Sequence, residues 1–348
     1  MKLKEIMIRE KLYLFLLAFI ILANFSLHSV SKALEAVPVS KIFDKEMPQE
    51  EDAIFNENII KAVTSKPVIY MAFLMLSMGF LLLFLAGIII DGLFLCDKIQ
   101  DREPIAITQA VGKADWGILE ICKVIIIFFF AESVAALFTI GAALFLPNII
   151  LRGNIQLMII ATALDVVAVG AIFYFVLIVK KRNMNSLGLT AKNFLLNVKY
   201  GITAYIGLVP VFLIVTIAMA FIFKVLNIPV EPQEVVEILK KEENMPSLIY
   251  MCLFTSLLGP VMEEIFFRGF VYGALKNRIG ILGGVLVSAA FFAYVHANAA
   301  GFVPILSLGI LLAYIYEKTG SLVSSVTAHI MHNSAMLVVL LFLKSVSN

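Results

Sequence analysis

Two adjacent glutamates and an arginine lie inside an apolar stretch of the chain. Glu263, Glu264 and Arg268 belong to a segment that runs from about Leu248 to Leu275 and is otherwise mostly hydrophobic. A charged side chain at the centre of a membrane helix costs about 2.5–3.5 kcal/mol on insertion scales. Because ionisable residues kept at such a cost mark functional sites by default, we expect these three to serve the activity of the protein.

The spacing of these residues predicts one paired and one unpaired carboxylate. Glu264 and Arg268 are four residues apart, so on a helix they share a face and can neutralise each other. Glu263 points about 100° away and matches Arg268 poorly. A carboxylate without a counter-ion in an apolar place can take up a proton and act as a general base or acid. The alternative is that all three residues line a water-filled cavity or lock helices together.

Polar residues on two later apolar segments have the spacing to join this site. Phe292 and His296 are four residues apart, as are His329 and Asn333, so each pair shares a helix face. His332 immediately precedes Asn333 and is expected to point elsewhere. Each of these side chains is costly in lipid, so their presence on separate helices favours a shared function.

The chemistry open to this set is hydrolysis. Glu263 with His296 could hold and deprotonate a water molecule. His329 and the amide of Asn333 could donate hydrogen bonds to the developing oxyanion, which is worth about 3–4 kcal/mol per donor. Glu264 and Arg268 would hold the helix and tune the base. No serine, cysteine or threonine nucleophile is needed.

The three motifs resemble those of the CPBP intramembrane protease family. They are Glu-Glu-x-x-x-Arg at Glu263–Arg268, Phe-x-x-x-His at Phe292–His296 and His-x-x-x-Asn at His329–Asn333. This family includes the type II CAAX prenyl endopeptidases and bacteriocin-processing or immunity proteins. The segment Ser186–Thr190 is also similar to one common there, so the resemblance covers about residues 185–343. The first 180 residues carry no matching motif, and their acidic loop departs from shorter members.

The resemblance implies a glutamate-dependent endopeptidase inside the membrane. It makes Glu263 the general base, His296 its water-holding partner, and His329 with Asn333 the oxyanion donors. The supporting residues would be Glu264, Arg268 and Phe292.

Zinc is an open alternative, because the family has also been described as metalloproteases. The chain has no H-E-x-x-H motif and no two histidines four apart on one helix, which argues against a metal. Glu263, His296 and His329 could still form a three-ligand site across helices. We favour a mechanism without a cofactor.

Composition indicates a polytopic membrane protein. Of the 348 residues, 61% are hydrophobic and 15% charged, and the mean hydropathy is +0.99. Soluble proteins are about 45–50% apolar and about 25% charged. The chain lacks a P-loop, a G-x-G-x-x-G motif and a basic tract with interleaved aromatic residues, so we expect no nucleic-acid partner.

The apolar segments predict an all-α transmembrane bundle of about eight to nine spans. A signal peptide is the alternative for the first segment. We divide the chain into an N-terminal region of about four spans (1–180), with an acidic loop at 35–66, and a catalytic core (181–348). The predicted spans are about 12–34, 67–95, 117–146, 156–179, 201–223, 248–275, 279–300, 303–316 and 322–343.

Loop charge predicts the orientation of the bundle. The most basic loop, Lys180–Lys199, belongs in the cytoplasm by the positive-inside rule. The N-terminus is then inside, and the acidic loops at 35–66 and 227–246 are outside. Within the third span, Glu120 and Lys123 are three residues apart and are expected to pair. We expect a multi-pass protein of the plasma membrane.

The leading hypothesis is a peptidase that cleaves a peptide or lipidated protein near the cytoplasmic side of the membrane. Membrane lipid would be its surroundings, and CAAX-type processing of prenylated proteins is one option. The alternatives are a non-catalytic binding or immunity protein of the same fold, and an ion or solute transporter that uses the polar groups as a pathway.

Overall fold

The computed structural model describes residues 10–35, 66–102, 111–112, 114–145, 154–230 and 233–347, and in these ranges every regular element is helical. The α-helices are α1 Lys11–Glu35, α2 Pro67–Ile99, α3 Ile118–Phe145, α4 Asn154–Phe173, α5 Phe194–Val225, α6 Glu234–Lys241, α7 Met245–Leu253, α8 Gly259–Glu264, α9 Gly273–Val295, α10 Phe302–Thr319 and α11 Leu322–Ser347. Turns of π-helix lie at Tyr174–Val179, Phe254–Leu258 and Ile265–Tyr272, and a 3-10 turn lies at Met184–Leu187. The predicted all-α polytopic bundle is confirmed.

Seven helices of the described ranges are long and apolar enough to cross a membrane. One of them, Met245–Val295, has 51 residues and joins α7, α8 and α9 with their π-turns. Gly280 interrupts it with φ 75° and ψ 177°, so this segment holds two of the predicted spans. Only glycine adopts that backbone without strain. The apolar part of α1, Lys11–Asn24, is shorter than the seven.

Helix α2 shows how the N-terminal part of the chain meets lipid and protein. Most of its large apolar side chains are exposed, which suits a lipid-facing helix. It docks through Gly87, where a Cβ atom would lie 2.5 Å from both the Ile206 carbonyl oxygen and the Pro210 ring of α5. A side chain at Gly87 would therefore separate the two helices.

The best buried part of the bundle is formed by the segment Met245–Val295 with α5, α10 and α11. Phe267, Phe292, Leu308, Leu312 and Ala328 belong to one buried apolar cluster there. The charged motif lies against this cluster rather than in a loop, so a close-packed scaffold holds the candidate site.

One predicted ion pair is wrong, and one acidic loop contains a short helix. Glu120 does not pair with Lys123: its carboxylate contacts Lys180 Nζ at 3.0 Å, and Lys123 Nζ contacts Glu10 at 2.8 Å. Partners from neighbouring helices approach these side chains, and three-residue spacing cannot reveal that. The acidic loop at 227–246 contains the helix α6.

Some predictions for the connecting segments lie beyond the part of the chain that the structure describes. Residues 36–65 of the first acidic loop and the turn at 147–153 are outside the described residues. The division of the chain near residue 180 stays a prediction.

Candidate active site

The two glutamates lie in a short α-helical piece between two π-helical turns. Helix α8 ends at Glu264, the turn Phe254–Leu258 precedes it, and the turn Ile265–Tyr272 follows it. Pro260 has no backbone N–H, so the regular hydrogen-bond ladder cannot continue through it. Turns of π-helix frequently occur at functional sites, where they change the direction in which side chains point.

Glu264 and Arg268 form a fully buried ion pair. Arg268 Nη1 donates to Glu264 Oε1 at 2.6 Å, and both side chains are 0% exposed. Arg268 Nη2 donates to the Gly309 carbonyl oxygen at 3.3 Å, and the guanidinium carbon lies 4.4 Å from the centre of the Phe292 ring. Helices α9 and α10 thus both hold the arginine. Removing one partner of such a pair costs about 3–5 kcal/mol, because the other charge remains buried.

His329 lies between the two glutamates. Its Nδ1 is 2.9 Å from Glu264 Oε1, and its Nε2 is 3.8 Å from Glu263 Oε2. A carboxylate only accepts hydrogen bonds, so Nδ1–H donates to Glu264 and the ring orientation is fixed. Nε2 is thereby directed toward Glu263. The spacing of residues along separate helices gave no signal for this contact.

Glu263 differs from its neighbour in access. Its side chain is 33% exposed, whereas that of Glu264 is 0% exposed. Within the part of the chain that the structure describes, Glu263 Oε2 accepts no hydrogen bond. The exposed remainder of the side chain lines a cavity. Glu264 Oε2 also accepts no hydrogen bond from the described residues, so Glu263 is distinguished by its contact with the cavity.

His296 and Asn333 each use one polar atom for a backbone contact and line the same cavity. His296 Nδ1 is 2.7 Å from the Phe292 carbonyl oxygen, so Nδ1–H donates and the neutral ring keeps Nε2 as an acceptor. Asn333 Nδ2 donates to the Thr255 carbonyl oxygen at 2.8 Å, which leaves its second amide N–H. Among the described residues, no hydrogen bond or ion pair joins Glu263 directly to His296.

The ring of Phe292 packs between these groups. It is fully buried, and its centre lies 4.6 Å from that of His296 and 5.5 Å from that of His329. The Arg268 guanidinium lies over the same ring, so Phe292 is in contact with the buried ion pair and with the imidazole rings of His296 and His329.

The cavity beside Glu263 has a volume of about 720 Å³. Ligand sites usually measure about 300–1,000 Å³ and are mostly apolar with a few polar groups. Nine polar side chains of the described residues line this cavity, and four of them belong to the three motifs: Thr216, Gln233, Thr255, Glu263, His296, Asn298, His329, His332 and Asn333.

His332 lines this cavity, although the sequence predicted that it points elsewhere. Its ring centre lies 4.7 Å from that of Phe212 in an edge-on contact. The cavity contacts two neighbouring faces of α11, so His332 can line it although it lies one position before Asn333. Asp165 of α4 is a further neighbour, close enough to Glu263 for the two charges to interact.

The donor atoms do not fit a metal ion as they are placed. No group of three His, Cys, Asp or Glu side chains in the described residues is arranged to hold one. The Nδ1 atoms of His329 and His296 are engaged by Glu264 and by the Phe292 carbonyl oxygen, which leaves the Nε2 atom of each ring as its only possible metal ligand. The chemistry below is therefore derived from the side chains alone.

Comparison with known proteins places these residues in a family. The family model described as "Type II CAAX prenyl endopeptidase Rce1-like" matches residues 245–335. Residues 245–335 form an Rce1-like domain. The resemblance carried by the three motifs is thus confirmed. The Rce1-like domain begins with α7 and ends just after Asn333, so it contains every motif residue.

Two curated relatives match stretches of comparable length. The chain is 32% identical over 98 residues to the protein named "Putative membrane peptidase YdiL" of Bacillus subtilis, which covers 28% of this chain and 39% of that protein. It is 27% identical over 74 residues to "UPF0177 protein YxdF" of Lactococcus lactis, which covers 21% of this chain and 40% of that protein. The matches thus span about two-fifths of the relatives' length. No solved structure matches the chain.

The segment Ser186–Thr190 precedes the Rce1-like domain and packs against it. Gly188 has φ 76°, and its carbonyl oxygen accepts a hydrogen bond from Leu322 N at 2.9 Å. The Leu187 carbonyl oxygen would lie 3.0 Å from a Cβ atom at Gly269, in the π-turn after the glutamates. Together with the membrane-spanning helices, the domain makes the chain an integral multi-pass membrane protein with a domain of a peptidase family.

Proposed function

We propose that this chain is an intramembrane peptidase in which the Glu263 carboxylate activates water for attack on a peptide bond. One observation carries the proposal: Glu263 opens to a cavity and faces a histidine whose other nitrogen is bound by a buried glutamate. The Rce1-like domain and the peptidase name of one relative support the same class of activity.

The residues have complementary roles in this reaction. Water in the cavity donates a hydrogen bond to Glu263 and another to the Nε2 acceptor of His296. The carboxylate takes the proton as the water oxygen bonds to the peptide carbonyl carbon. The protonated Glu263 then gives that proton to the leaving nitrogen, and the C–N bond breaks. Every proton is accounted for without a covalent enzyme intermediate.

The oxyanion needs hydrogen-bond donors. The free N–H of Asn333 is one, and His329 Nε2 is the other. Nε2 donates only when His329 carries protons on both nitrogens. Two carboxylates, Glu263 and Glu264, then face two cations, His329 and Arg268, and the charges balance. Glu264 and Arg268 act as positioning residues, because they hold His329 and do not reach the cavity.

The test is peptide cleavage by the purified full chain in proteoliposomes. Glu263→Gln should lower turnover of a quenched, membrane-embedded peptide by about 10²–10⁴-fold while the protein stays folded. Glu132→Gln is the matched control, because Glu132 is exposed on α3 away from the site, and it should cleave as the wild type does.

Two alternatives predict different results, one in cells and one in the same proteoliposomes. A binding or immunity protein would keep its cellular phenotype in Glu263→Gln, and a transporter would show solute flux without a peptide product. Full cleavage by Glu263→Gln would show that the proposal is wrong.

A prenylated CAAX protein, as the family description names, is one candidate substrate, and a membrane-embedded peptide is another. We place the chain in the plasma membrane.

A further inference from the structure

The two ends of the helical bundle differ in charge. We call the end where α2, α4 and α10 finish the basic face. Ion pairs connect helices there, including Lys276 with Glu317 at 2.6 Å and Lys180 with Glu120 at 3.0 Å. The described lysines and arginines of this face are Lys11, Lys98, Arg102, Lys123, Lys180, Lys181, Arg182, Lys192, Lys199, Lys276, Arg278 and Lys318.

The opposite end, where α5 finishes and α7 begins, carries fewer cations. We call it the far face. Its described lysines are Lys32, Lys66, Lys224, Lys240, Lys241 and Lys344, and none of its described residues is an arginine. Glu237, Glu242 and Glu243 lie within a few residues of Lys240 and Lys241. An excess of Lys and Arg in short segments beside the spans marks the cytoplasmic side. The basic face is therefore cytoplasmic.

The cavity that contains Glu263 opens at the far face. Val230 and Gln233, which lead from α5 into α6, line it. So does Asn298 in the turn between α9 and α10. These three positions lie at the end of the bundle away from Lys276 and Lys318. The cationic residues of the basic face do not line the cavity.

One side of α11 connects the mouth to the reactive groups. Asn333, Leu337, Leu340 and Leu343 follow one another at helical spacing and all line the cavity. Lys344, next to the last of them, donates hydrogen bonds to the Leu239 carbonyl oxygen at 3.0 Å and to that of Glu242. The mouth is thus a built part of the bundle, with α6 fastened to α11.

We propose that the site is entered from the extracytoplasmic side and that its substrate is an apolar peptide segment presented at the outer leaflet. Between mouth and base most of the lining side chains are apolar, with leucine, valine and phenylalanine prominent among them, so the segment that reaches Glu263 is mainly aliphatic or aromatic. That the bound segment is cleaved rests on the proposed function, whereas the side of entry does not. This side is opposite to the one expected from the sequence, where cleavage was placed near the cytoplasm.

Site-directed labelling in intact cells tests the side of entry. In a chain with Cys96, Cys122 and Cys252 changed to alanine, Val230→Cys reports on the mouth and Lys192→Cys on the basic face; both positions are exposed. A membrane-impermeant maleimide should label Val230→Cys equally in intact and permeabilised cells. Lys192→Cys should be labelled only after permeabilisation.

The interior of the cavity needs its own reporter. Leu340→Cys should react in intact cells with a small, charged methanethiosulfonate, since it lies between the mouth and Asn333. If Val230→Cys is protected until the cells are opened, or if Leu340→Cys is unreactive from outside, the proposal is overturned. If the cysteine-free chain does not fold, a site-specific protease site placed after Val230 or after Lys192 gives the same comparison in spheroplasts.

The labelling does not require activity, so its failure differs from a failure of the proposed function. Glu263→Gln added to Val230→Cys should leave the labelling unchanged. If the cavity is labelled from outside but the chain cleaves no peptide, the proposed peptidase activity is wrong and the proposed side of entry stands. If the chain cleaves the peptide but Val230→Cys is reached only from the cytoplasm, the side of entry is wrong and the peptidase activity stands.

Discussion

Neighbouring glutamates on one helix have opposite surroundings. On the sealed side, Glu264 and Arg268 are 0% exposed and hold each other, with Phe292 stacked on the guanidinium. On the cavity side, Glu263 is one-third exposed and lines the cavity. In the described residues each glutamate has one carboxylate oxygen without a hydrogen bond, so the difference between them is access. His329 touches both sides. Because this helix forms part of the cavity wall, one glutamate can stabilise the fold while the adjacent glutamate faces the cavity and is available for chemistry.

The largest effect should come from breaking the sealed side. Glu264→Gln removes the counter-ion of a buried arginine, so we expect the free energy of unfolding to fall by about 3–5 kcal/mol. Unfolding in detergent can be followed by the fluorescence of Trp116, the single tryptophan, which stacks on Phe270 beside this helix. Glu263→Gln is the matched control and should unfold as the wild type does. If the two variants had equal free energies of unfolding, the proposed difference between the sealed side and the cavity side would be wrong.

The next effect belongs to the cavity side. Asn333→Ala removes one of the two proposed oxyanion donors, so kcat for peptide cleavage should fall by about 10²–10³-fold with KM little changed. The variant also loses the hydrogen bond to the Thr255 carbonyl oxygen, which is worth about 1 kcal/mol of stability. If activity falls only as far as the folded fraction does, Asn333 is a structural tie and not a donor.

A smaller effect should separate charge from shape on the sealed side. Arg268→Lys keeps the cation beside Glu264 but loses the planar contact with Phe292 and the hydrogen bond to the Gly309 carbonyl oxygen. We expect a loss of about 1–2 kcal/mol in the free energy of unfolding, less than for Glu264→Gln. A loss as large as that of Glu264→Gln would mean that geometry, rather than charge balance, stabilises this side.

The smallest effect sets the baseline for both sides. The hydroxyl groups of Thr162 and Tyr250 lie 2.6 Å apart and join α4 to α7. Hydrogen bonds between membrane helices average about 0.6 kcal/mol, so Tyr250→Phe should cost about that amount and leave cleavage unchanged. Thr162→Val should give the same value, and the double variant no more. A cost near that of Glu264→Gln would show that the sealed side is not special.

Much of the scaffold follows from local patterns in the chain. Long apolar runs predict α2, α3, α5 and α11, because lipid requires every backbone group to pair within its own helix. The spacing of the three motifs predicts which polar side chains share a face. These predictions depend only on the period of a helix, so no knowledge of neighbours is needed.

The remaining features depend on contacts between distant segments. Local spacing predicted Lys123 as the partner of Glu120, but Lys180 of another helix reaches it. The contact of His329 with Glu264 joins residues 65 positions apart, which no helix period encodes. The width of the cavity, which admits His332, likewise depends on how far the surrounding helices stand apart.

The π-helical turn at Ile265–Tyr272 gives the chain one residue more than an α-helix of the same rise would hold. That extra residue rotates everything after it relative to everything before it. It allows Glu264 to face His329, and Arg268 to face Gly309, while Tyr272 and Lys276 meet Glu317 at the next level of the bundle. Regular α-helical winding through the same residues would instead turn the glutamates and the ion pair of Lys276 with Glu317 out of phase by about 100°. The winding of this segment, and not only its composition, therefore decides which groups meet.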